Sequence, residues 1–279
     1  MSPPLSLPSA RRFACDLAQS VRFYSRLPLP RLPFEREAFS LPDFGRLPQA
    51  TPLACLMIAA PPALVLAGGA ALGLPPLLAA LLCLAANALV TGAFHEDGLA
   101  DVADGFGGGA TAERKLEIMK DSRVGTFGAS AVATSFLVRG AALAGALDFY
   151  GWRGAVAAWL IAAVAARLFG VAPLAMLPPA RREGLGASAG VWTAAMTPLP
   201  GALARGALLA LALSILLAMA GGLPESALAA GLAAAAVATA LMTRAAKRQI
   251  GGQTGDVAGA TEQFAEMAIL IAFAARAFQ

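Results

Sequence analysis

Long apolar runs recur along this chain and restrict the folds that it can adopt. Of its 279 residues, 58% are hydrophobic and only 14% are charged, whereas about 25% of the residues of a soluble domain are charged. The mean hydropathy is +0.68. Inside a bilayer the backbone must satisfy its own hydrogen bonds, and a helix does so within one segment. The composition therefore predicts an all-α fold, namely a polytopic integral membrane helical bundle.

Seven segments are apolar over roughly the 17–25 residues that a membrane-spanning helix needs. They cover residues 53–73, 75–94, 126–147, 153–177, 200–221, 225–243 and 263–278. Before them, residues 11–27 alternate apolar side chains with basic and amide ones, a pattern typical of an amphipathic helix in the membrane interface. We expect about seven transmembrane helices in one domain over residues 1–279. Residues 1–52 would form a cytoplasmic or interfacial segment, and residues 53–279 the transmembrane bundle.

Positive charge is distributed unevenly between the loops. Most of the 21 lysines and arginines precede the first apolar segment or follow the second, fourth and sixth, and the intervening loops are short and nearly uncharged. The positive-inside rule then predicts a cytoplasmic N-terminus and cytoplasmic motif-bearing loops. The net charge is +4, but no basic patch with interleaved aromatic residues accompanies it, so we expect no nucleic-acid partner.

An acidic cluster follows the second apolar segment directly. Residues 95–105 read His-Glu-Asp-Gly-Leu-Ala-Asp-Val-Ala-Asp-Gly. On a helix, Asp97, Asp101 and Asp104 share one face because they are spaced i, i+4, i+7. Three like charges repel one another there, and a divalent cation with a preference for oxygen would offset the repulsion. The spacing favours a metal site over a solvated acidic loop. His95 either orients a carboxylate or a phosphate or acts as a base, or it makes only a local hydrogen bond.

Two further motifs combine basic, acidic and glycine residues. Residues 119–125 contain Lys120, Asp121 and Arg123. The planar Arg fork and the Lys point charge suit a diphosphate, and Asp121 could complete a metal shell. A plain basic anchor before the third apolar segment is the alternative.

Residues 251–256 read Gly-Gly-Gln-Thr-Gly-Asp and follow Lys247 closely. Gly252 and Thr254 could approach a phosphate, and Asp256 could supply another metal ligand, although a simple turn is the alternative. Arg181 follows the fourth apolar segment. Arg139 and Arg167 lie inside predicted spans, where an arginine faces the bundle interior and contacts either a buried carboxylate or a ligand.

Carboxylates for a metal, cations for phosphates and glycines for close access together favour phosphoryl transfer, in which positioning and charge neutralisation do most of the catalysis. The sequence holds no Ser-His-Asp or Cys-His arrangement and no Walker loop. An ion-coupled transporter is a less favoured alternative, since it needs polar groups near the bilayer midplane in several spans.

The motifs resemble those of the cobalamin synthase family. The resemblance rests on residues 95–105, 119–125 and 251–256, and also on residues 23–30 and 182–186, in the family's order along nearly the whole chain. It implies a Mg²⁺-dependent transferase that joins adenosylcobinamide-GDP to α-ribazole, or to its 5′-phosphate, and releases GMP. Residues 101–105 are also similar to part of the CDP-alcohol phosphotransferase motif, so another Mg²⁺-dependent membrane phosphotransferase is the alternative.

The resemblance implies roles for individual residues. Asp97, Asp101 and Asp104, with Asp121 or Asp256, would hold Mg²⁺, and His95 or one carboxylate would accept a proton. Phosphate contacts would come from Lys120, Arg123, Arg167, Arg181, Lys247, Gly252 and Thr254. The expected location is the bacterial inner membrane, with lipid around the bundle and the active site on the cytoplasmic face. A homo-oligomer, or association with other cobalamin-assembly enzymes, is left open.

Overall fold

The structure, a computed structural model, describes residues 9–35, 38–184 and 199–275. Within these ranges the chain forms helices and no β-strand, apart from one isolated parallel bridge between Pro179 and Gln253. The helices are α1 (Ser9–Tyr24), α2 (Leu47–Ala71), α3 (Pro76–Thr91), α4 (Phe94–Gly108), α5 (Ala112–Ile118), α6 (Thr126–Met176), α7 (Leu199–Gly221), α8 (Glu225–Ile250) and α9 (Gly255–Ala274). The all-α prediction is confirmed.

Five of the described helices, α2, α6, α7, α8 and α9, are long and apolar enough to cross a membrane, and α3 with α4 makes a sixth when the two are taken together. The polytopic membrane architecture is thereby confirmed. α9 begins at Gly255, well before the predicted start at residue 263, and two of its acidic residues, Glu262 and Glu266, are buried inside the protein. Residues 276–278 of the last predicted segment and residues 185–186 of the 182–186 motif lie outside the described ranges.

α6 is broken at Gly151, whose φ of 66° and ψ of −174° are not helical. In a straight helix Arg139 and Arg167 would be about 42 Å apart, at 1.5 Å per residue. Both arginines nevertheless form ion pairs with α9, at Glu266 and Glu262, which are one helical turn apart. α6 must therefore reverse direction at Gly151, so that both of its halves pack along α9. This agrees with the two separate segments predicted from the sequence, 126–147 and 153–177. The number of helices that cross the membrane remains a prediction.

α3 and α4 meet at an angle of 92°. Two consecutive residues in the left-handed region, Gly92 (φ 68°) and Ala93 (φ 56°), interrupt the helix there. Only glycine adopts this conformation without strain, so the bend is stabilised by its surroundings rather than by Ala93 itself. α4 therefore does not extend the predicted segment 75–94; it crosses the end of the bundle and packs on α6 and α9.

Small residues allow the helices of the bundle to approach closely. The largest core cluster contains many alanines from α2, α3, α6, α8 and α9, together with Trp159, Leu143 and Phe273. The Trp159 indole Nε1 donates to the Ala59 carbonyl oxygen at 3.1 Å, which satisfies a buried donor. In a membrane, where lipid and core are equally apolar, this close packing supplies much of the association energy.

The motif-bearing segments gather at one end of the bundle. Backbone hydrogen bonds between Gln253 and Pro178 (2.9 Å) and between Ala180 and Gln253 (2.9 Å) join the end of α6 to the start of α9. The N-terminal segment packs against the same end, where Asp16 of α1 forms an ion pair with Arg46. The division at residue 52 remains a prediction.

Candidate active site

A cavity of about 210 Å³ opens at the end of the bundle where the motifs meet. We call it the carboxylate cavity, and it is bordered by α4, by residues 181–184 and by residues 253–256. Its polar lining consists of Asp97, Arg181, Glu183, Gln253, Thr254 and Asp256. Four residues predicted from the sequence, Asp97, Arg181, Thr254 and Asp256, therefore come together from three separate motifs.

The start of α9 fixes two of these side chains. The Thr254 hydroxyl caps the helix by accepting from the Val257 backbone N–H at 3.2 Å, and it donates to the Asp256 carboxylate, also at 3.2 Å. Arg181 approaches the same carboxylate, with Nη1 3.4 Å from Asp256 Oδ2. Gly252 has no room for a side chain, since a Cβ would lie 2.9 Å from the Ala180 nitrogen. The turn thus holds an acidic side chain, Asp256, beside a basic one, Arg181.

Close contact between α4 and α9 brings the acidic cluster to this turn. A Cβ on Gly98 would lie 2.9 Å from the Asp256 carbonyl oxygen and 3.2 Å from the Asp256 Cα atom. Glycine at position 98 therefore lets the two backbones touch. Asp97, its neighbour on α4, reaches the cavity lining as a result.

The carboxylates of the cluster repel one another. Partial burial, followed by the negative charges of Asp256 and Asp97, raises the pKa of Asp101 to about 7. Among the groups that act on Asp101, Arg181 is the one that opposes this shift. Negative charge therefore exceeds positive charge around Asp101, and such a site favours a bound cation.

Among the described residues, no three His, Cys, Asp or Glu side chains lie close enough together to hold one metal ion. The five-carboxylate set predicted from the sequence is thus not assembled as a complete protein shell. Mg²⁺, however, is usually bound through one or two carboxylates together with waters and substrate phosphates. Two of the carboxylates Asp97, Asp101 and Asp256 fit that mode as hard oxygen ligands. Asp101 lies outside the cavity lining but interacts electrostatically with the other two, and Asp256 is also paired with Arg181.

Asp104 serves a different local purpose. Its Oδ2 accepts from the Gly125 N–H at 2.7 Å and its Oδ1 from the Gly128 N–H at 2.8 Å. These are free amide groups at the first turn of α6, so the side chain of Asp104 caps that helix from α4. Both oxygens are thereby engaged with backbone.

The motif at residues 119–125 is placed away from the cavity lining. Asp121 and Arg123 pair with each other, and the hydrogen bonds from Arg123 lower the pKa of Asp121 to about 2. The Arg123 side chain is 87% exposed. Lys120 and Lys247 are also exposed, and neither belongs to the described lining of the cavity.

His95 and Arg167 face a second, adjoining space, which we call the aromatic pocket. Its aromatic lining consists of Phe23, Tyr24, Phe44 and Phe94. The His95 ring stacks on Tyr24 with centroids 6.0 Å apart, and its Nδ1 lies 3.7 Å from Glu262. Neither His95 nor Arg167 lines the carboxylate cavity.

A buried ion-pair network connects α4 to α6 and α9. Arg139 contacts Glu96 of α4 at 3.1 Å and Glu266 of α9 at 2.9 Å, and its side chain is fully buried. The sequence indicated that Arg139 and Arg167 face the interior, but their partners Glu262 and Glu266 were not identified. The available signal was the spacing of these two glutamates, which places them on one face of a predominantly apolar helix.

The chain matches one protein family model and several curated relatives. The cobalamin-5-phosphate synthase family model matches residues 16–274. Three relatives are each named adenosylcobinamide-GDP ribazoletransferase. That of Azorhizobium caulinodans is 46% identical over 262 residues, 93% of this chain and 95% of the relative. That of Rhizobium meliloti is 45% identical over 263 residues, 93% and 95% of the two chains. That of Bradyrhizobium diazoefficiens is 48% identical over 233 residues, 83% and 84% of the two chains.

No solved structure matches this chain. The family match nevertheless covers almost all the described helices, together with every residue of the carboxylate cavity. It confirms the resemblance that the motifs indicated, and the chain belongs to the cobalamin-5-phosphate synthase family.

Proposed function

We propose that this protein is an adenosylcobinamide-GDP ribazoletransferase, a membrane enzyme of late cobalamin biosynthesis. It would join adenosylcobinamide-GDP to α-ribazole, or to α-ribazole 5′-phosphate, and release GMP. The names of relatives that align with more than nine-tenths of the chain support the activity. The observation that carries the proposal is the meeting of Asp97, Arg181 and Asp256 in one cavity, because a diphosphate substrate needs both a cation and metal-binding carboxylates.

The reaction is a phosphoryl transfer at the cobinamide side of the diphosphate. A ribose hydroxyl oxygen of ribazole forms a bond to that phosphorus, while the bond from phosphorus to the bridging oxygen of GMP breaks. The hydroxyl proton passes to a base, and GMP leaves with the bridging oxygen. We assign the base to a carboxylate of the cluster, since His95 lies in the aromatic pocket and not in the lining of the carboxylate cavity.

Two of the three carboxylates Asp97, Asp101 and Asp256 would hold Mg²⁺ together with oxygens of the diphosphate, which leaves the third to act as the base. When bound, Mg²⁺ supplies neutralisation of the charge that develops on the leaving GMP. Arg181 would bind a phosphate oxygen through its guanidinium fork, for which it is already positioned beside Asp256. The Thr254 hydroxyl would contact the same group, whereas Gly252 is packed against the backbone of Pro178 and Ala180 and does not line the cavity.

We infer that the carboxylate cavity faces the cytoplasm of a bacterial cell with the bundle in the inner membrane. The described cations of residues 114–123, 181–182 and 244–248 lie at the same end of the bundle as the cavity, which supports this orientation under the positive-inside rule. Both substrates are water-soluble, so in this orientation their reacting groups would enter the cavity from the aqueous side.

The test is GMP release from adenosylcobinamide-GDP and α-ribazole by the purified full-length protein in nanodiscs. We expect activity that stops with excess EDTA and returns with Mg²⁺. Asp97→Asn and Asp256→Asn should each lower kcat by about 100-fold or more, as expected for lost electrostatic stabilisation. Asp148→Asn is the matched control, because Asp148 is exposed near Gly151, at the other end of the bundle.

Two results would contradict the proposal. Wild-type protein that releases no GMP from this substrate pair would exclude the activity. Full activity of Asp256→Asn would exclude the carboxylate cavity as the site, whatever the substrate.

A further inference from the structure

The aromatic pocket is built by three separate parts of the chain. α1 contributes Phe23 and Tyr24, the segment before α2 contributes Phe44, and α4 contributes Phe94. The rings contact one another edge to face, with centroids 5.2 Å apart for Phe23 and Phe44 and 5.6 Å apart for Phe23 and Phe94. The pocket encloses a cavity of about 60 Å³. A narrow space between aromatic faces and edges suits a flat ring.

One wall of this pocket carries unmet hydrogen-bonding capacity. Arg167 and Glu262 line the pocket and are almost completely buried. The Arg167 Nε atom and the Glu262 Oε1 atom have no hydrogen-bond partner, although their side chains are 3.9 Å apart. A buried donor without a partner is costly, so a ligand atom that accepts from Arg167 would recover that free energy.

The aromatic pocket and the carboxylate cavity are neighbours. Phe94 and Gly255 line both spaces. A nucleoside whose base occupied the aromatic pocket could therefore extend its ribose past Phe94 toward the carboxylates. This is the arrangement that the attacking substrate of a phosphoryl transfer requires.

We propose that the aromatic pocket binds the base of the attacking nucleoside, a planar nitrogen heteroaromatic ring with apolar edges and one unprotonated ring nitrogen. This inference rests on the proposed function and assigns the benzimidazole-type base of ribazole to the pocket. The ring would pack against the wall formed by Phe23, Phe44 and Phe94, and its free nitrogen would accept from Arg167.

The guanine base of the other substrate suits the pocket less well. Guanine presents several donors and acceptors around its edge, and most of the remaining lining is apolar, including Leu47, Val171 and Leu174. Polar edge atoms buried against these side chains would lose hydration without gaining partners. The mostly apolar remainder of the lining therefore favours the less polar of the two rings.

Val171→Phe tests the proposal by filling the pocket. We expect the KM for α-ribazole to rise about tenfold or more, because an added ring competes for the space of the base. The KM for adenosylcobinamide-GDP should stay within about twofold of the wild-type value. Phe169→Leu is the matched control, since Phe169 lines a separate apolar cavity between α6 and α7, and both KM values should be unchanged.

Val171→Ala provides a milder, opposite change that keeps the test valid if the larger residue prevents folding. It enlarges the pocket, so the ratio of kcat/KM for a riboside with a tricyclic base to that for α-ribazole should increase. A merely structural effect would change both ribosides equally.

An unchanged KM for α-ribazole in Val171→Phe would overturn the proposal. A selective increase in the KM for adenosylcobinamide-GDP would also overturn it and would assign the pocket to guanine. Should the wild-type protein release no GMP at all, the proposed function fails first. Calorimetric titration with α-ribazole and with GMP then decides the pocket separately: loss of α-ribazole binding in Val171→Phe supports the proposal, and retained binding overturns it.

Discussion

Arg139 shows how single charged residues are accommodated inside this bundle. An isolated arginine in a membrane-spanning helix is costly, and here one guanidinium contacts two carboxylates, Glu96 at 3.1 Å and Glu266 at 2.9 Å. One carboxylate belongs to α4 and the other to α9. These two contacts therefore fix the position of α4 relative to α6 and α9, and with it the position of Asp97 at the carboxylate cavity.

Replacing Arg139 should destabilise the protein strongly. In Arg139→Gln two buried carboxylates lose their cation, and breaking one buried pair typically costs about 3–5 kcal/mol. We expect a large fall in the thermal unfolding midpoint in detergent. Arg153→Gln is the control, because Arg153 is exposed, and its midpoint should remain close to that of the wild type. Equal midpoints for the two variants would show that the buried contacts contribute little.

A substitution at Asp104 can distinguish a structural role of this residue from a metal-binding role. The sequence predicts a metal ligand, whereas the structure shows both oxygens accepting backbone N–H groups at the start of α6. Asp104→Asn keeps one acceptor and turns an amide group toward the other N–H, so we expect a loss of about 1–2 kcal/mol of stability. The Mg²⁺ concentration for half-maximal GMP release should not change. A normal unfolding midpoint with a much higher Mg²⁺ requirement would instead restore Asp104 to the metal site.

At the level of elements, the packing of α4 on α9 is the contact that builds the carboxylate cavity. Gly98→Ala would place a Cβ 2.9 Å from the Asp256 carbonyl oxygen, and backbone cannot move aside as a flexible side chain can. We expect the two helices to separate slightly and kcat to fall at least about tenfold, because the cavity groups need accurate placement.

Gly68→Ala is the matched control for Gly98→Ala. Nothing lies within 4 Å of a Cβ at position 68, and the residue is inside α2. Alanine is favoured over glycine in a helix by about 1 kcal/mol, so this variant should be as stable as the wild type or more stable. Comparable losses of activity in both variants would show that the contact with Asp256 is not the cause.

Helices were easier to predict from this sequence than the points at which they bend. The apolar runs gave α2, α3, α7 and α8 to within a few residues at most ends. The early start of α9 was missed because Glu266 interrupts the entry of the apolar segment predicted from residue 263. The burial of Glu262 and Glu266 is explained by their contacts with Arg167 and Arg139. The 92° bend at Gly92 and Ala93 depends on tertiary packing, since alanine has no local preference for a positive φ.

At the level of the whole molecule, the orientation that we predict from the charges at the cavity end can be measured directly. In a background without Cys15, Cys55 and Cys83, single cysteines at Lys120 and Leu72 would lie at opposite ends of the bundle, and both positions are exposed. We expect a membrane-impermeant thiol reagent to label Lys120→Cys only from the cytoplasmic side and Leu72→Cys only from the other side. Labelling of both from one side would contradict the predicted topology.

The sequence predicted those site residues that belong to short local motifs. It could not predict contacts between segments that are distant in sequence. Residues 95–105 and 251–256 identified Asp97, Thr254 and Asp256, which do meet in the cavity. Lys120 and Arg123 carry the same kinds of charge but point to solvent, and the sequence gives no distance between motifs. The aromatic pocket could not be predicted at all, because Phe23, Phe44 and Phe94 lie in three segments that only the fold brings together.

The buried ion pairs join segments that the ribosome synthesises at different times. Arg139 precedes its partner Glu266 by 127 residues, while Glu96, its other partner, is synthesised 43 residues before it. α6 thus enters the membrane with one carboxylate already made and a second still to be translated. Glu262, the partner of Arg167, is also on α9. Charge balance within the bundle is therefore reached only after α9 has left the ribosome.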